Sequence, residues 1–158
     1  MSALPVRVVA VVHRRDRLLL NRTVTPAGTV YTLFGGHLEA GETAAQCLER
    51  EFLEELGWPL KVGPLLWVVE NRWVEGDSAM PNAGESCHEV GIYLYAEVME
   101  SKGEEPPKAL EGHLWPGWFS EGEVKGDGHI LPATLEEALF EGLKTGFIDS
   151  PSLLTDGF

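Results

Sequence analysis

The stretch from Gly36 to Trp58, GHLEAGETAAQCLEREFLEELGW, constrains the fold more than any other part of this chain. At about 100° per residue, Glu51, Glu54 and Glu55 fall on one face of a helix, and Arg50 sits beside them. Like charges on neighbouring turns repel, so such a face needs strong tertiary support or a cation that neutralises it. A second stripe, Ala45, Leu48, Phe52 and Leu56, is apolar and predicts burial against a sheet. Thr43 suits the N-cap, and Gly57 followed by Pro59 supplies the stop. The helix therefore has a packing face and a chemical face, and it stands directly behind the paired glycines Gly35 and Gly36.

The rest of the chain reads as strands around this helix. VRVVAVV from Val6 to Val12 is a β-branched run, and Arg17–Leu20 continues it after the polar break His13-Arg14-Arg15-Asp16, which predicts a hairpin. Val30–Phe34 is a short strand that delivers the backbone into the glycines. Leu65–Trp73 and His88–Met99 are long strand candidates, and a short strand is expected near Trp115–Phe119. Between the long strands, Gly76–Ser86 is polar and long enough for a binding loop or flap. A last helix is expected over Ala133–Leu143, on the stripe Leu135, Ala138, Leu139 and Leu143, and the tail beyond Gly146 reads as loosely ordered. Strands flanking two helices, with no repeat or linker, predict an α/β fold: one mixed-sheet α/β/α sandwich forming a single domain over residues 1–158.

A chain of 158 residues can bury one hydrophobic core without disulfides or structural zinc. Its net charge of -13 argues against binding a nucleic-acid polymer or an anionic membrane surface through bulk electrostatics. A polyanionic small substrate would need a divalent cation as a bridge, although solubility alone accounts for much of the acidity. Cys47 and Cys87 have no metal-type spacing and read as reduced, inert thiols. Without a secretory leader or a spanning apolar run, the expected location is cytoplasmic.

The pattern Gly36, Glu42, Arg50, Glu51, Phe52, Glu54, Glu55, Gly57, Trp58 resembles the Nudix box: a glycine, then a glutamate, then Arg-Glu-apolar-X-Glu-Glu-X-Gly-apolar at fixed spacing. Phe52 and Trp58 stand where that family usually has aliphatic residues, and Phe34 where many members have proline, which bears on substrate rather than on metal. The resemblance implies a Nudix-like sandwich and hydrolysis of a nucleoside diphosphate linked to another group, with Mg²⁺ or Mn²⁺ as cofactor. It implies Glu51, Glu54 and Glu55 as carboxylate ligands, with the Gly35 carbonyl completing the site, in keeping with the hard oxygen donors that Mg²⁺ prefers. Arg50 would orient a carboxylate, while Gly36 and Glu42 would shape and stiffen the loop. A further glutamate outside the box often serves as general base or extra ligand. Glu111 is the candidate, with Glu104 and Glu105 as competitors.

Arg22 and Arg72 are candidates for gripping substrate phosphates, set against the ordinary reading of surface arginines. Trp67, Trp73, Tyr31 and Phe34 can stack on a base but equally suit core packing, so none is singled out. His37 and His88 lack partners at zinc-ligand spacing. The expected partner is a small nucleotide, with the chain acting as a monomer or homodimer. Compactness favours nucleoside di- or triphosphates over ADP-ribose, with nucleotide sugars and dinucleoside polyphosphates left open. The rival reading is a nucleotide-binding module of the same fold without catalysis, against which the complete set of box glutamates speaks.

Overall fold

The computed structural model describes residues 3–74, 84–99, 105–148 and 151–156. Strand β1 is Val6–Val11, and its sequence is apolar at nearly every position because both of its faces are covered. Strand alternation sends Val8, Ala10 and Val12 into one core cluster and Val9 and Val11 into another. The hairpin lies one step later than the sequence suggests. It joins β2 (His13–Arg14) to β3 (Arg17–Thr25), pairing His13 with Leu18, whereas β1 belongs to a different sheet. A two-faced strand has no solvent side to match to a partner, so its periodicity does not reveal which sheet it joins.

Strands β4 (Gly28–Thr32) and β5 (Gly35–His37) lead into helix α1 (Ala44–Leu56). The caps are local chemistry. The Gln46 N–H donates to Thr43 Oγ1 at 3.1 Å, the Thr43 N–H donates back to Gln46 Oε1 at 2.9 Å, and Gly57 closes the helix at φ 68°. The buried stripe is Cys47, Leu48, Phe52 and Leu56; Cys47 takes the inner position expected of Ala45, which stays half-buried.

The remaining elements are β6 (Leu60–Val74), β7 (Ser86–Val98), β8 (Pro116–Ser120), α2 (Glu121–Asp127), β9 (Gly128–Ile130), α3 (Thr134–Thr145) and β10 (Ser152–Asp156). Among the described residues two mixed five-stranded sheets result. The first runs β10-β6-β7-β1-β5, with β1 parallel to β7 and β10 parallel to β6. The second runs β2-β3-β4-β9, with β8 joined to β3. One core cluster draws on both sheets together with Leu135, Leu139 and Phe140 of α3, and the other packs α1 under Val8, Ala10, Leu19 and Trp118. The α/β class with mixed strands is as expected, delivered by two sheets.

The short strands β5 and β9, the helix α2 and the strand β10 escaped the sequence reading. Where the tail was expected to be loosely ordered, Ser152–Asp156 form an edge strand, β10, whose backbone pairs with β6 although within it only Leu154 and Asp156 are partly covered. Backbone pairing leaves no hydrophobic pattern to read. Helix α2 carries two glycines and so scores poorly as a helix, yet Ser120 and Glu123 form a capping box at its start, a signal present in the sequence. Most of the anticipated loop at 76–86, and Glu104, lie outside the described residues.

Candidate active site

The paired glycines and the helix meet at a cleft lined by Arg7, Asn21, Thr32, Leu33, Phe34, Gly35, Gly36, His37, Glu39, Glu51, Glu55, His113 and Leu114. Each glycine is needed for a different reason. A Cβ on Gly35 would run into the backbone of β1, at the Val8 carbonyl and 2.8 Å from the Val9 Cα. A Cβ on Gly36 would instead collide with the carboxyl end of Glu51. Gly35 thus lets two strands close, and Gly36 makes room for a helix carboxylate.

Arg50 holds the helix to the loop. Its Nε and Nη2 donate to the two oxygens of Glu42 at 3.1 and 2.8 Å, a bidentate fork, while Nη1 donates to Glu51 Oε1 at 2.9 Å. Glu54, four residues on, is a weaker partner at 3.4 Å with its side chain 55% exposed, and it does not line the cleft. Glu42 also accepts the Glu39 N–H at 2.9 Å, and the arginine contact holds its carboxyl down to about 2. Phe34, just before the paired glycines, is buried edge-to-face on Phe52 with ring centroids 6.3 Å apart.

Glu55 is the electrostatically strained member of the set. Burial, then the negative charges of Glu51 and Glu111, push its carboxyl up to about 7, with a hydrogen bond to Glu51 acting in the same direction and the positive charge of Arg7 opposing. Glu111 therefore stands near Glu55 across a large gap in sequence. The segment is anchored there by the Leu110 N–H, which donates to the Glu55 carbonyl at 2.8 Å. Glu111 itself faces outward enough to meet His113 Nε2 at 3.5 Å. Of its competitors, Glu105 accepts the Trp118 indole N–H through its backbone carbonyl at 3.3 Å.

The donors fit a hard divalent cation in kind: crowded carboxylates beside a carbonyl-bearing glycine loop. In placement, Glu51 and Glu54 are turned towards Arg50, and among the described residues no three acidic, cysteine or histidine side chains converge on one ion-sized point.

Neither arginine nominated for phosphate contact enters the cleft, and strand alternation explains both. Arg22 follows the cleft-lining Asn21 on β3 and so takes the opposite face, where its Nε pairs with Asp127 at 2.8 Å. Arg72 lies between Asn71 and Trp73, which line an adjoining recess, and has the other face of β6. The cleft's arginine is Arg7. The sequence signal was there, a lone charge inside VRVVAVV, but only if that strand was known to run beside the glycines. His37 pairs with Glu89 at 3.2 Å and His88 with Glu70 at 3.0 Å. Tyr31 is a core residue whose hydroxyl donates to Asp127 at 2.6 Å.

A family model described as the NUDIX domain matches residues 3–139. Among curated relatives, the NAD-capped RNA hydrolase NudC of Salmonella typhi is 36% identical over 73 residues, which span 46% of this chain and 28% of that protein. The NudC of Yersinia pestis (strain Pestoides F) is 33% identical over 103 residues, 58% of this chain and 39% of that one. The chain thus spans well under half the length of these relatives. Among solved structures, the MutT NUDIX hydrolase from Burkholderia pseudomallei superposes with a TM-score of 0.63 at 23% identity, covering 89% of this chain and 98% of its own, a likeness of fold. No helix among the described residues is long and apolar enough to cross a membrane.

Proposed function

The chain belongs to the Nudix family, and from that premise we propose that it hydrolyses the diphosphate linkage of a nucleoside diphosphate derivative, a nucleoside di- or triphosphate in the first instance. The observation that carries this reading is the crowding of Glu51 and Glu55 in one cleft, one helical turn apart, with Glu111 near enough to act on Glu55.

Glu51, Glu55, Glu54 and the Gly35 carbonyl would hold Mg²⁺ or Mn²⁺, with the side chains of Glu51 and Glu54 swinging away from Arg50. When bound, the cation supplies neutralising charge for the phosphoryl oxygens. Arg50 then keeps its fork on Glu42 and holds the helix against the loop. Glu111, on a segment tied to Glu55 through Leu110, takes the proton from the attacking water, and its exposure lets that proton pass to solvent. The relatives' printed name, NAD-capped RNA hydrolase, keeps dinucleoside diphosphates within the substrate panel.

The test is turnover of a nucleotide panel by the purified chain with Mg²⁺ or Mn²⁺, reading phosphate and nucleoside monophosphate and locating the label from isotopically enriched water. Hydrolysis that depends on the cation supports the reading. Tight binding of one nucleotide without turnover would assign a binding module instead.

A further inference from the structure

Arg7 stands where two cavities meet. It lines the carboxylate cleft with Glu51 and Glu55, and it also lines a recess of about 280 Å³ walled by Val9, Thr32, Asn71, Trp73, Glu89 and Tyr93, with Leu131 and Pro132 at one side. The registers explain how these side chains assemble. Arg7 is level with Gly91 on β7, Val9 with Tyr93, and Glu89 with Asn71 on β6, so alternation sets Arg7, Val9, Glu89, Tyr93 and Asn71 on one face of the first sheet. Gly91, level with Arg7, makes room for the Tyr93 ring, which lies over that glycine 2.7 Å from where a Cβ would be.

The charge is equally telling. Arg17 pairs with Glu123 at 3.1 Å, Arg22 with Asp127 at 2.8 Å and Arg50 with Glu42 at 2.8 Å. Among the described residues no side chain hydrogen-bonds or ion-pairs with the Arg7 guanidinium, although Glu39, Glu51, Glu55 and Glu89 line the same two cavities. A half-buried guanidinium that feels Glu55 only through its charge, with no carboxylate in hydrogen-bond contact, keeps its fork available to an anion from outside.

We propose that Arg7 is the substrate-orienting residue of the cleft: its fork grips the nucleoside-bearing phosphate of a nucleoside diphosphate group whose other phosphate lies at Glu51 and Glu55, and the nucleoside end enters the Tyr93–Asn71 recess. This deepens the hydrolase reading and rests on it for the phosphate at Glu51 and Glu55. The recess suits that occupant: the half-buried Trp73 lies against an apolar wall that includes the buried Tyr93, and Asn71 and Glu89 offer hydrogen-bonding groups for a base or sugar. A guanidinium fork spans two oxygens of one phosphate, which lysine does not reproduce.

The test measures equilibrium binding of α,β-methylene nucleoside diphosphates, which resist cleavage, to the full chain and to Arg7→Gln and Arg7→Lys variants with Mg²⁺, together with binding of the matching nucleosides. Melting curves establish that each variant is folded. The expected result is at least a tenfold loss of diphosphate affinity in Arg7→Gln, a smaller loss in Arg7→Lys, and nucleoside affinity unchanged in both. For any substrate turned over, KM should rise more than kcat falls, while Arg17→Gln changes neither. Arg7-dependent binding without turnover would leave this assignment standing and remove the hydrolase reading. Equal diphosphate affinity in wild type and Arg7→Gln, or no diphosphate binding by the wild type, overturns it.

Discussion

The carboxyl group of Glu51 fills the volume that a side chain on Gly36 would occupy, so the loop glycine and the helix glutamate are two halves of one fitting. Gly35, one residue earlier, is matched to the backbone of β1 instead.

These adjacent glycines should therefore fail differently. In Gly36→Ala the obstructing atoms are the end of a flexible side chain, which can turn aside, so stability should fall by roughly 1 kcal/mol or less while turnover drops at least tenfold. In Gly35→Ala the obstruction is main chain, and the expected cost is about 1–3 kcal/mol or more as β1 and β5 are pushed apart. Urea titration beside turnover separates the two. Equal loss of stability in both variants would contradict the geometry.

Among the carboxylates, Glu51→Gln and Glu55→Gln should each lower kcat by about a hundredfold or more, since both line the cleft. Glu54→Gln, which removes the more exposed of the proposed ligands, should also lower kcat, by a smaller factor than either. Glu111→Gln should reduce kcat with little change in KM. An unchanged rate for Glu111→Gln would move the base to Glu105 or Glu104.

Glu55 sets a pH dependence with a definite sign. Its folded-state pKa is pushed up to about 7, above the unfolded value, so the folded protein holds the extra proton between them. Stability from this group is complete below the unfolded value and is lost as pH rises through about 7. In a chelating buffer, thermal midpoints should fall across that window, and Glu55→Gln should flatten the fall. Added Mg²⁺ should flatten it as well, because a cation favours the charged form. A midpoint that climbs with pH there in the chelator would refute the placement of Glu55.

The two thiols should differ sharply in reactivity. Cys47 is fully buried, and burial together with Glu42 pushes its thiol up to about 12, so it should resist a thiol reagent at neutral pH. Cys87 is only partly covered and should react. One equivalent labelled in the native protein, and a second only in denaturant, is the expected count.

Helix α1 was legible almost in full, because a helix is written in contacts within one or two turns: the Thr43–Gln46 cap, the Gly57 stop and the acidic face are all local. Strands were legible as runs but not as partners. The same VRVVAVV that reads as half of a hairpin is the parallel neighbour of β7, more than seventy residues away.

By itself, then, the sequence determined that a capped helix would bring acidic side chains to a glycine loop, since periods near 3.6 residues and cap chemistry need nothing beyond the segment itself. Only the tertiary structure decided that Arg7 rather than Arg22 or Arg72 shares the cleft, that Glu111 comes beside Glu55, and that Gly35 and Gly36 serve separate ends. Those outcomes turn on strand register, where a shift of one residue sends a side chain to the opposite face, and register is settled by pairing between segments far apart in the chain.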